Sequence, residues 1–335
     1  MDGRRFLEGK RPSFCICLQK GAREAVYDVT IIGAAIIDVL AAPVNENVFS
    51  IGSQPMDTIE MSFGGDALNE AVILSRLGKR VQLITKVGDD EAGRRVLSFL
   101  EENHISSEGT VIQRGLRTGI NIVLIDEKGN RHFLTNPSGS LRRLSFEDIE
   151  GHLDDAAGIV SFAGMFVSPL LTIPEMKRLF SQIKDKKDRI LAVDMTKAKN
   201  GEVLEDIQEL LPYIDYIFPN EEEIALLTGE RDPKRNASLL IERGVKTAVV
   251  KCGERGCIIA DSSGVKHIPA VKAEKCVDTT GAGDSFAAGF LWGISQGMDH
   301  ESCGRLACAA ASCIVEQYGA AAGIDSIERV WKRFR

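Results

Sequence analysis

From Tyr27 onward, short β-branched runs alternate with amphipathic stretches along nearly the whole chain. Asp28-Val29-Thr30-Ile31-Ile32-Gly33 reads as a strand buried on both faces, because its apolar run is continuous rather than alternating. Ala67 to Leu77 reads as a helix: Ala67, Ala71 and Leu74 fall at i, i+4 and i+7, and Gly78 stops it. Val81 to Thr85 is a further strand and Asp90 to Asn103 a further helix. Strands are expected again at Gly158 to Phe162, Ile190 to Asp194, Tyr213 to Phe218 and Thr247 to Lys251. Helices such as Ile173 to Lys184 and Glu221 to Thr228 separate them. This rhythm predicts an α/β fold, a central, mostly parallel sheet with helices on both faces.

One stretch departs from it. Gly109 to Asn136 holds short β-like runs at Thr110 to Gln113, Gly119 to Ile125 and Arg131 to Leu134, with Glu127-Lys128-Gly129-Asn130 as a polar turn. The alternating run Thr58-Ile59-Glu60-Met61-Ser62 lies earlier. Strands without helices argue for a small inserted β-flap, drawn from residues 40–63 and 108–136, that serves as a lid over a site or as a dimer surface. An ordinary edge hairpin has the same pattern. No repeat or Pro/Gly linker divides the remainder, so residues 27–335 are expected to form one domain, with 1–26 a basic extension outside the core.

Composition narrows the classes. Of 335 residues, 44% are hydrophobic, too many for a disordered chain. No apolar run approaches the roughly 18 residues of a membrane span. Lys plus Arg is 41 against 48 Asp plus Glu, a net charge of −7, and no basic block stands out, so neither nucleic acid nor a membrane is expected as a partner. The cysteines (Cys15, Cys17, Cys252, Cys257, Cys276, Cys303, Cys308, Cys313) form no CxxC pair. Cys303, Cys308 and Cys313 recur every five residues, which on a helix turns each away from the last. Buried thiols in a reducing compartment are the expectation. Met1 to Ala25 carries Arg4, Arg5, Lys10, Arg11, Lys20 and Arg23, and its apolar piece Phe14 to Leu18 is short for a signal-peptide core. The expected location is cytoplasmic.

The chemistry begins with absences. There is no GxxxxGK[ST] loop, and Gly33-Ala34-Ala35-Ile36 lacks the spacing of a dinucleotide fingerprint. The strongest local signal is Asp278-Thr279-Thr280-Gly281-Ala282-Gly283-Asp284-Ser285-Phe286-Ala287-Ala288-Gly289, small residues running into a helix. Small residues leave backbone N–H groups open to an anion, and a helix N-terminus adds partial positive charge. Asp284 then places a carboxylate where a phosphate would sit. A carboxylate there makes sense as a base taking the proton of a hydroxyl that attacks phosphorus; the alternative is a plain helix cap. Gly64-Gly65-Asp66-Ala67-Leu68-Asn69 opens the first helix, where glycines permit close approach of a ligand and Asn69 could bond a hydroxyl. Asp38 follows the apolar Ala34 to Ile37 and reads as the end of the first strand, on the side of an α/β sheet where ligands lie. Asn220-Glu221-Glu222-Glu223 begins a helix; its acids suit the dipole, and Asn220 with Glu223 could also hold magnesium through water.

Together these stretches resemble the ribokinase-like, or PfkB, family of carbohydrate kinases. Both defining motifs are present, Gly64 to Ala71 continuing to Gly78 and Gly88, and Asp278 to Leu291. The resemblance covers Tyr27 to about Trp331 and implies a ribokinase-like fold with a lid. It implies that Asp284 is the catalytic base and that Gly281, Ala282 and Gly283 form the anion hole. It assigns Asp38, Gly64, Gly65 and Asn69 to the sugar, and Lys251, Gly253, Gly256, Thr279 and Cys308 to the nucleotide. Asn220 and Glu223 match a pair that organises Mg2+, while Asp278, Thr280 and Gly319 match a monovalent-cation (K+) site of part of the family. ATP is the implied co-substrate and a primary hydroxyl of a small sugar or sugar derivative the implied acceptor; the exposed flap strands, which need cover, argue for a homodimer through the lid. Departures bear on the substrate: Ile36 replaces an Asn typical of ribokinases, Ala163-Gly164-Met165 lacks their Glu, and Asp194-Met195-Thr196-Lys197 lacks the Asp-Pro-Asn of fructokinases. Cys308 stands where many members have Asn. A nucleoside kinase on this scaffold, and a non-catalytic sugar-binding protein, are the competing readings.

Overall fold

The structure is a computed structural model that describes residues 26–127 and 131–334. The basic extension at residues 1–25, with Cys15 and Cys17, lies outside the described residues, as do Lys128, Gly129 and Asn130 of the polar turn. Among the described residues no helix is long and apolar enough to cross a membrane.

The first part of the chain runs β1 (Val29–Ile32), β2 (Ile36–Val44), β3 (Thr58–Gly64), α1 (Asp66–Arg76), β4 (Val81–Gly88) and α2 (Glu91–Glu102). Then come β5 (Ile105–Ser106), β6 (Thr110–Gln113), β7 (Ile120–Asp126), β8 (Arg131–Thr135), α3 (Phe146–Glu150) and β9 (Ile159–Met165). The pattern continues with α4 (Ile173–Lys184), β10 (Ile190–Met195), β11 (Tyr216–Phe218), α5 (Glu221–Thr228), α6 (Pro233–Glu242) and β12 (Thr247–Lys251). Last are β13 (Cys257–Asp261), β14 (Gly264–Ile268), α7 (Ala282–Ser295), α8 (His300–Ile314) and α9 (Ile327–Phe334).

The main sheet has the order β14-β13-β12-β11-β10-β9-β1-β4-β5. It is parallel from β12 to β5, with Val29 opposite both Val81 of β4 and Ile159 of β9. The strands β13 and β14 extend it antiparallel. Successive residues of one strand enter different cores, as a pleated sheet covered on both faces requires. Ile31 and Leu83 pack with α1, α2, α7 and α8, whereas Ile32 and Ile84 pack with Phe146 of α3, Phe180 of α4, Ile224 of α5 and Leu240 of α6. The helices start where their sequence allows: Asp90 accepts the Gly93 N–H ahead of α2, and Thr172 accepts the Glu175 N–H ahead of α4.

The flap is a separate sheet of order β3-β2-β7-β8. Two expectations are corrected here. Thr110–Gln113 does not belong to the flap; as β6 it pairs parallel with β4, Thr85 opposite Thr110, and continues the edge cover that β5 begins. Asp38 is not the end of the first strand either. That strand stops at Ile32, the chain turns at Gly33, whose added Cβ would overlap the Ala163 carbonyl, and Asp38 lies inside β2 of the flap.

The flap has two unlike faces. One rung, Ser62–Asp38–Asn121–Thr135, crosses all its strands and carries the polar groups of the site. The next, Met61–Val39–Ile122–Leu134, points the other way, because neighbouring residues of a strand face opposite sides. Met61, Ile122 and Leu134 are 56%, 42% and 53% exposed, so this face is an open apolar stripe.

Candidate active site

The site forms where β1, β9 and β10 end and the flap hangs over α1. Gly64 ends β3, and a Cβ on it would overlap the Asp38 carboxylate, so glycine is what lets that carboxylate lie against the strand. Asp38 Oδ1 accepts from Asn121 Nδ2 at 3.0 Å. Burial raises the Asp38 pKa, against the opposing pull of Asn121 and of the Arg131 guanidinium. Gly65 follows with φ 98°, a conformation that favours glycine, and caps α1. One turn into α1, Asn69 donates from Nδ2 to Asp284 Oδ2 at 2.7 Å. The two sequence motifs, 215 residues apart, therefore meet through a single side-chain bond.

Asp284 belongs to the first turn of α7. In that turn the Ala282 N–H reaches back to Thr279 O and the Ser285 N–H to Gly281 O, so those of Gly283 and Asp284 remain as free backbone donors among the described residues. Gly281, at φ 72°, lets the loop carrying Ala320 cross directly against it. Burial and the nearby Asp66 and Asp194 carboxylates hold the Asp284 pKa well above the usual aspartate range; the Asn69 bond and Lys251 oppose this.

Lys251 ends β12, directly before the turn of Gly253 and Gly256, with Nζ on the Asp194 carboxylate at 2.7 and 2.9 Å, and a Cβ on Gly283 would stand 3.4 Å from that Nζ. It is a half-buried cation beside the first turn of α7. Burial works to lower its pKa, but Asp194 and Glu223 outweigh this and raise it. Around it lie carboxylates that the motifs did not single out. Asp194 is the next-to-last residue of β10; Asp66 opens α1, its pKa pushed up to about 6 by burial and by Asp194; Glu70 is fully buried and accepts from Ser161 Oγ at 2.7 Å, and burial raises its pKa far above the usual value. An apolar strand ending in an acid, Ile190-Leu191-Ala192-Val193-Asp194, is the signal that could have found the first of these.

Asn220 and Glu223 form a reciprocal cap on α5: Asn220 Oδ1 accepts the Glu223 N–H at 2.8 Å, and Glu223 Oε2 accepts the Asn220 N–H at 2.7 Å. The Asn220 oxygen is thus taken by the helix, and the metal role narrows to Glu223. Its other oxygen has no protein partner among the described residues, and burial pushes its pKa up to about 7. A hard carboxylate oxygen without a protein partner, near the Asp194 and Lys251 charges, fits a water-shelled Mg2+. The monovalent-cation expectation fits less well. Asp278, Thr280 and Gly319 do converge, but the Asp278 carboxylate already accepts the Thr280 N–H and hydroxyl and the Gly319 N–H, and it is ion-paired with Arg131 of the flap. Its Oδ1 carries the Thr280 and Arg131 contacts, and its Oδ2 accepts the Gly319 N–H. Arg131 was not among the expected residues; a lone arginine in a flap strand gives no local signal.

On the nucleotide side, Gly253 and Gly256 shape the turn between β12 and β13, Gly256 with φ 90° and packed on Pro269 and Ala270. Thr279 is exposed at the mouth of the α7 turn. Cys308 is corrected: it is buried in the core of α8, paired with the thiol of Cys257 in β13, and lines no open surface. The helix α8 is buried almost all round, which is how Cys303, Cys308 and Cys313 can all be internal without sharing a face.

The pfkB family carbohydrate kinase model matches residues 27–327. The chain is 34% identical to an uncharacterized sugar kinase of Archaeoglobus fulgidus over 75% of its own length and 97% of that protein. It is 29% identical to a cytidine kinase of Thermococcus kodakarensis over 88% of this chain and 98% of the relative. Among solved structures, the ribokinase of Arabidopsis thaliana complexed with ribose and ATP superposes with a TM-score of 0.79 at 23% identity, covering 92% of this chain and 98% of that one.

Proposed function

The chain belongs to the pfkB family of carbohydrate kinases, and from that premise we propose that it moves the γ-phosphoryl group of ATP to a hydroxyl of a small sugar or nucleoside, with Asp284 as the base. The observation that carries this is the Asn69–Asp284 bond, which brings an acceptor-side residue and a carboxylate together at the first turn of α7.

The acceptor is held by Asp38, Asn69 and the backbone of Gly64 and Gly65, with its reacting hydroxyl against Asp284. Attack forms the new O–P bond while the bond to the ADP oxygen breaks, and the hydroxyl proton passes to Asp284. The free N–H groups of Gly283 and Asp284, with Lys251 beside them, face the charge on the moving phosphoryl group. Glu223 would hold Mg2+ through water; bound there, the ion would neutralise phosphate charge. The open apolar rung of the flap supports a homodimer through the lid, since exposed strands with an apolar face need cover.

A nucleoside acceptor is favoured by the cytidine kinase relative, which aligns over nearly its whole length. The deciding assay measures ADP release from Mg-ATP with sugars and nucleosides in turn. Acceptor-dependent release that Asp284→Asn abolishes is expected. No acceptor-dependent release from a folded protein, across both classes, would overturn the reading in favour of a binding protein.

A further inference from the structure

Beside the acceptor site is a cleft of about 320 Å³ that the site described so far does not use. It lies between the turn after β9 and the loop after β10, and its walls include Phe166, Val167, Arg142 and Lys199. Gly164 separates it from Asp66. A Cβ on Gly164 would stand 2.8 Å from Asp66 Oδ2 and 2.9 Å from a Val167 methyl, so the Asp66 carboxylate and the cleft wall are neighbours across one glycine. Thr196 Oγ1 and N–H both bond the Met165 carbonyl and hold the two loops together. Phe166 has φ 74°, a costly conformation for a bulky side chain, which the surrounding loops enforce.

The charges on this cleft are one-sided. Arg142 is half-buried and Lys199 sits at the rim. Neither makes an ion pair or a side-chain hydrogen bond with any described residue, and Arg142 Nε is buried without a partner.. The carboxylate on the wall, Glu202, does not answer them, for its oxygens accept the Asn200 N–H at 2.9 Å and side-chain amide at 2.8 Å. Burial and the Arg142 charge both lower the Lys199 pKa, with Asp66 opposing, so the two cations stand close enough to repel. An anion seated between them would relieve that repulsion and give Arg142 Nε its missing acceptor.

We propose that Arg142 and Lys199 form an anion subsite, and that the acceptor carries a carboxylate or phosphate in addition to the hydroxyl that is phosphorylated. The inference rests on the kinase reading, and it narrows the acceptor to acidic sugars or sugar phosphates. The nearby Asp38 and Asp66 would then face the hydroxylated end, and the cations the charged end, which fixes the direction in which the acceptor lies.

The test has a binding arm and a turnover arm, both with the full chain. In the first, titration calorimetry without ATP measures binding of an aldonic acid, a ketose monophosphate and their neutral parent sugars. The acid and the phosphate arms distinguish the two sources of charge. Binding of at least one anionic compound roughly tenfold or more tighter than its neutral parent is expected, and Arg142→Gln or Lys199→Gln should remove that preference. In the second, the same variants should raise KM for the anionic acceptor by a similar factor with kcat within a few-fold. Equal or tighter binding of the neutral parents, or a preference untouched by both substitutions, would overturn the proposal, as would no binding of any anionic compound. Anionic binding lost in Arg142→Gln without any turnover would instead leave the subsite standing and sink the kinase reading.

Discussion

Asp284 occupies a helix N-terminus, where the dipole favours a carboxylate's ionised form. Burial and the Asp66 and Asp194 charges act in the opposite direction and win, so its pKa is raised. The sign of the consequence follows. A base must be ionised, and a raised pKa delays ionisation, so kcat/KM is expected to fall on the acid side at a pH above the ordinary aspartate range. Asp284→Asn keeps the shape and an oxygen that can accept from Asn69, and should lower kcat by about 10²- to 10⁴-fold, with acceptor and ATP affinities little changed. A normal fold with near wild-type kcat would leave Asp284 no more than the partner of Asn69. Glu223, with a pKa near 7, should release its metal as pH falls through that value. Glu223→Gln should raise the Mg2+ concentration for half-maximal rate and leave acceptor affinity similar; the reverse pattern would remove it from the metal. Asp284, Asn69 and Glu223 were legible because small residues and caps surround them in an unusual order. Lys251 was legible as a position and not as a role, since only the sheet reveals that β10 places Asp194 opposite its amine. Arg131 and the Arg142–Lys199 pair carry no local pattern at all; their meaning comes from what they face.

At the scale of elements, the 3.6-residue and two-residue periods located α1, α2, α4 and α5 to within a residue or two, whereas β4, β9 and β11 each differ from the expected strand by three residues at one end. Ala67 to Leu77 became Asp66–Arg76, and Asp90 to Asn103 became Glu91–Glu102 with Asp90 as its cap. The flap was harder, since partner choice is absent from a strand's own sequence. Thr110–Gln113 looks like its neighbours in sequence yet pairs with β4. The turn before α7 makes a sharper demand. Gly281 needs both a positive φ and the absence of a Cβ, because the Ala320 loop lies against it. Gly253 has φ 56° but nothing within 4 Å of a built Cβ. Gly253→Ala should therefore cost about 1 kcal/mol, the strain of the conformation alone. Gly281→Ala should cost clearly more in urea melts and also depress kcat by shifting the anion hole. Equal losses at the two positions would show that the Ala320 loop yields freely.

For the whole molecule, the exposed apolar rung Met61–Val39–Ile122–Leu134 is the surface through which we propose that the chain dimerises. Sedimentation at micromolar concentration is expected to give a dimer, and Met61→Glu combined with Ile122→Glu a monomer of unchanged circular dichroism. A wild-type monomer would remove the flap from the interface. The order of the main sheet was the least legible level: pattern identifies strands, while β1 lying between β4 and β9 depends on packing that only the folded chain expresses.

That placement has a consequence for how the chain is made. As synthesis proceeds, β1 can pair with β4 early, but its other edge waits for β9, and every flap strand is emitted in between. A nascent or refolding chain therefore shows an unpaired β1 edge and the flap's apolar stripe at the same time. Distant pairing is slow, and such exposed surfaces are where intermediates stick to one another. Early pairing of two copies through the flap would hide one of these surfaces, so assembly would act as the chain's own protection against aggregation during folding.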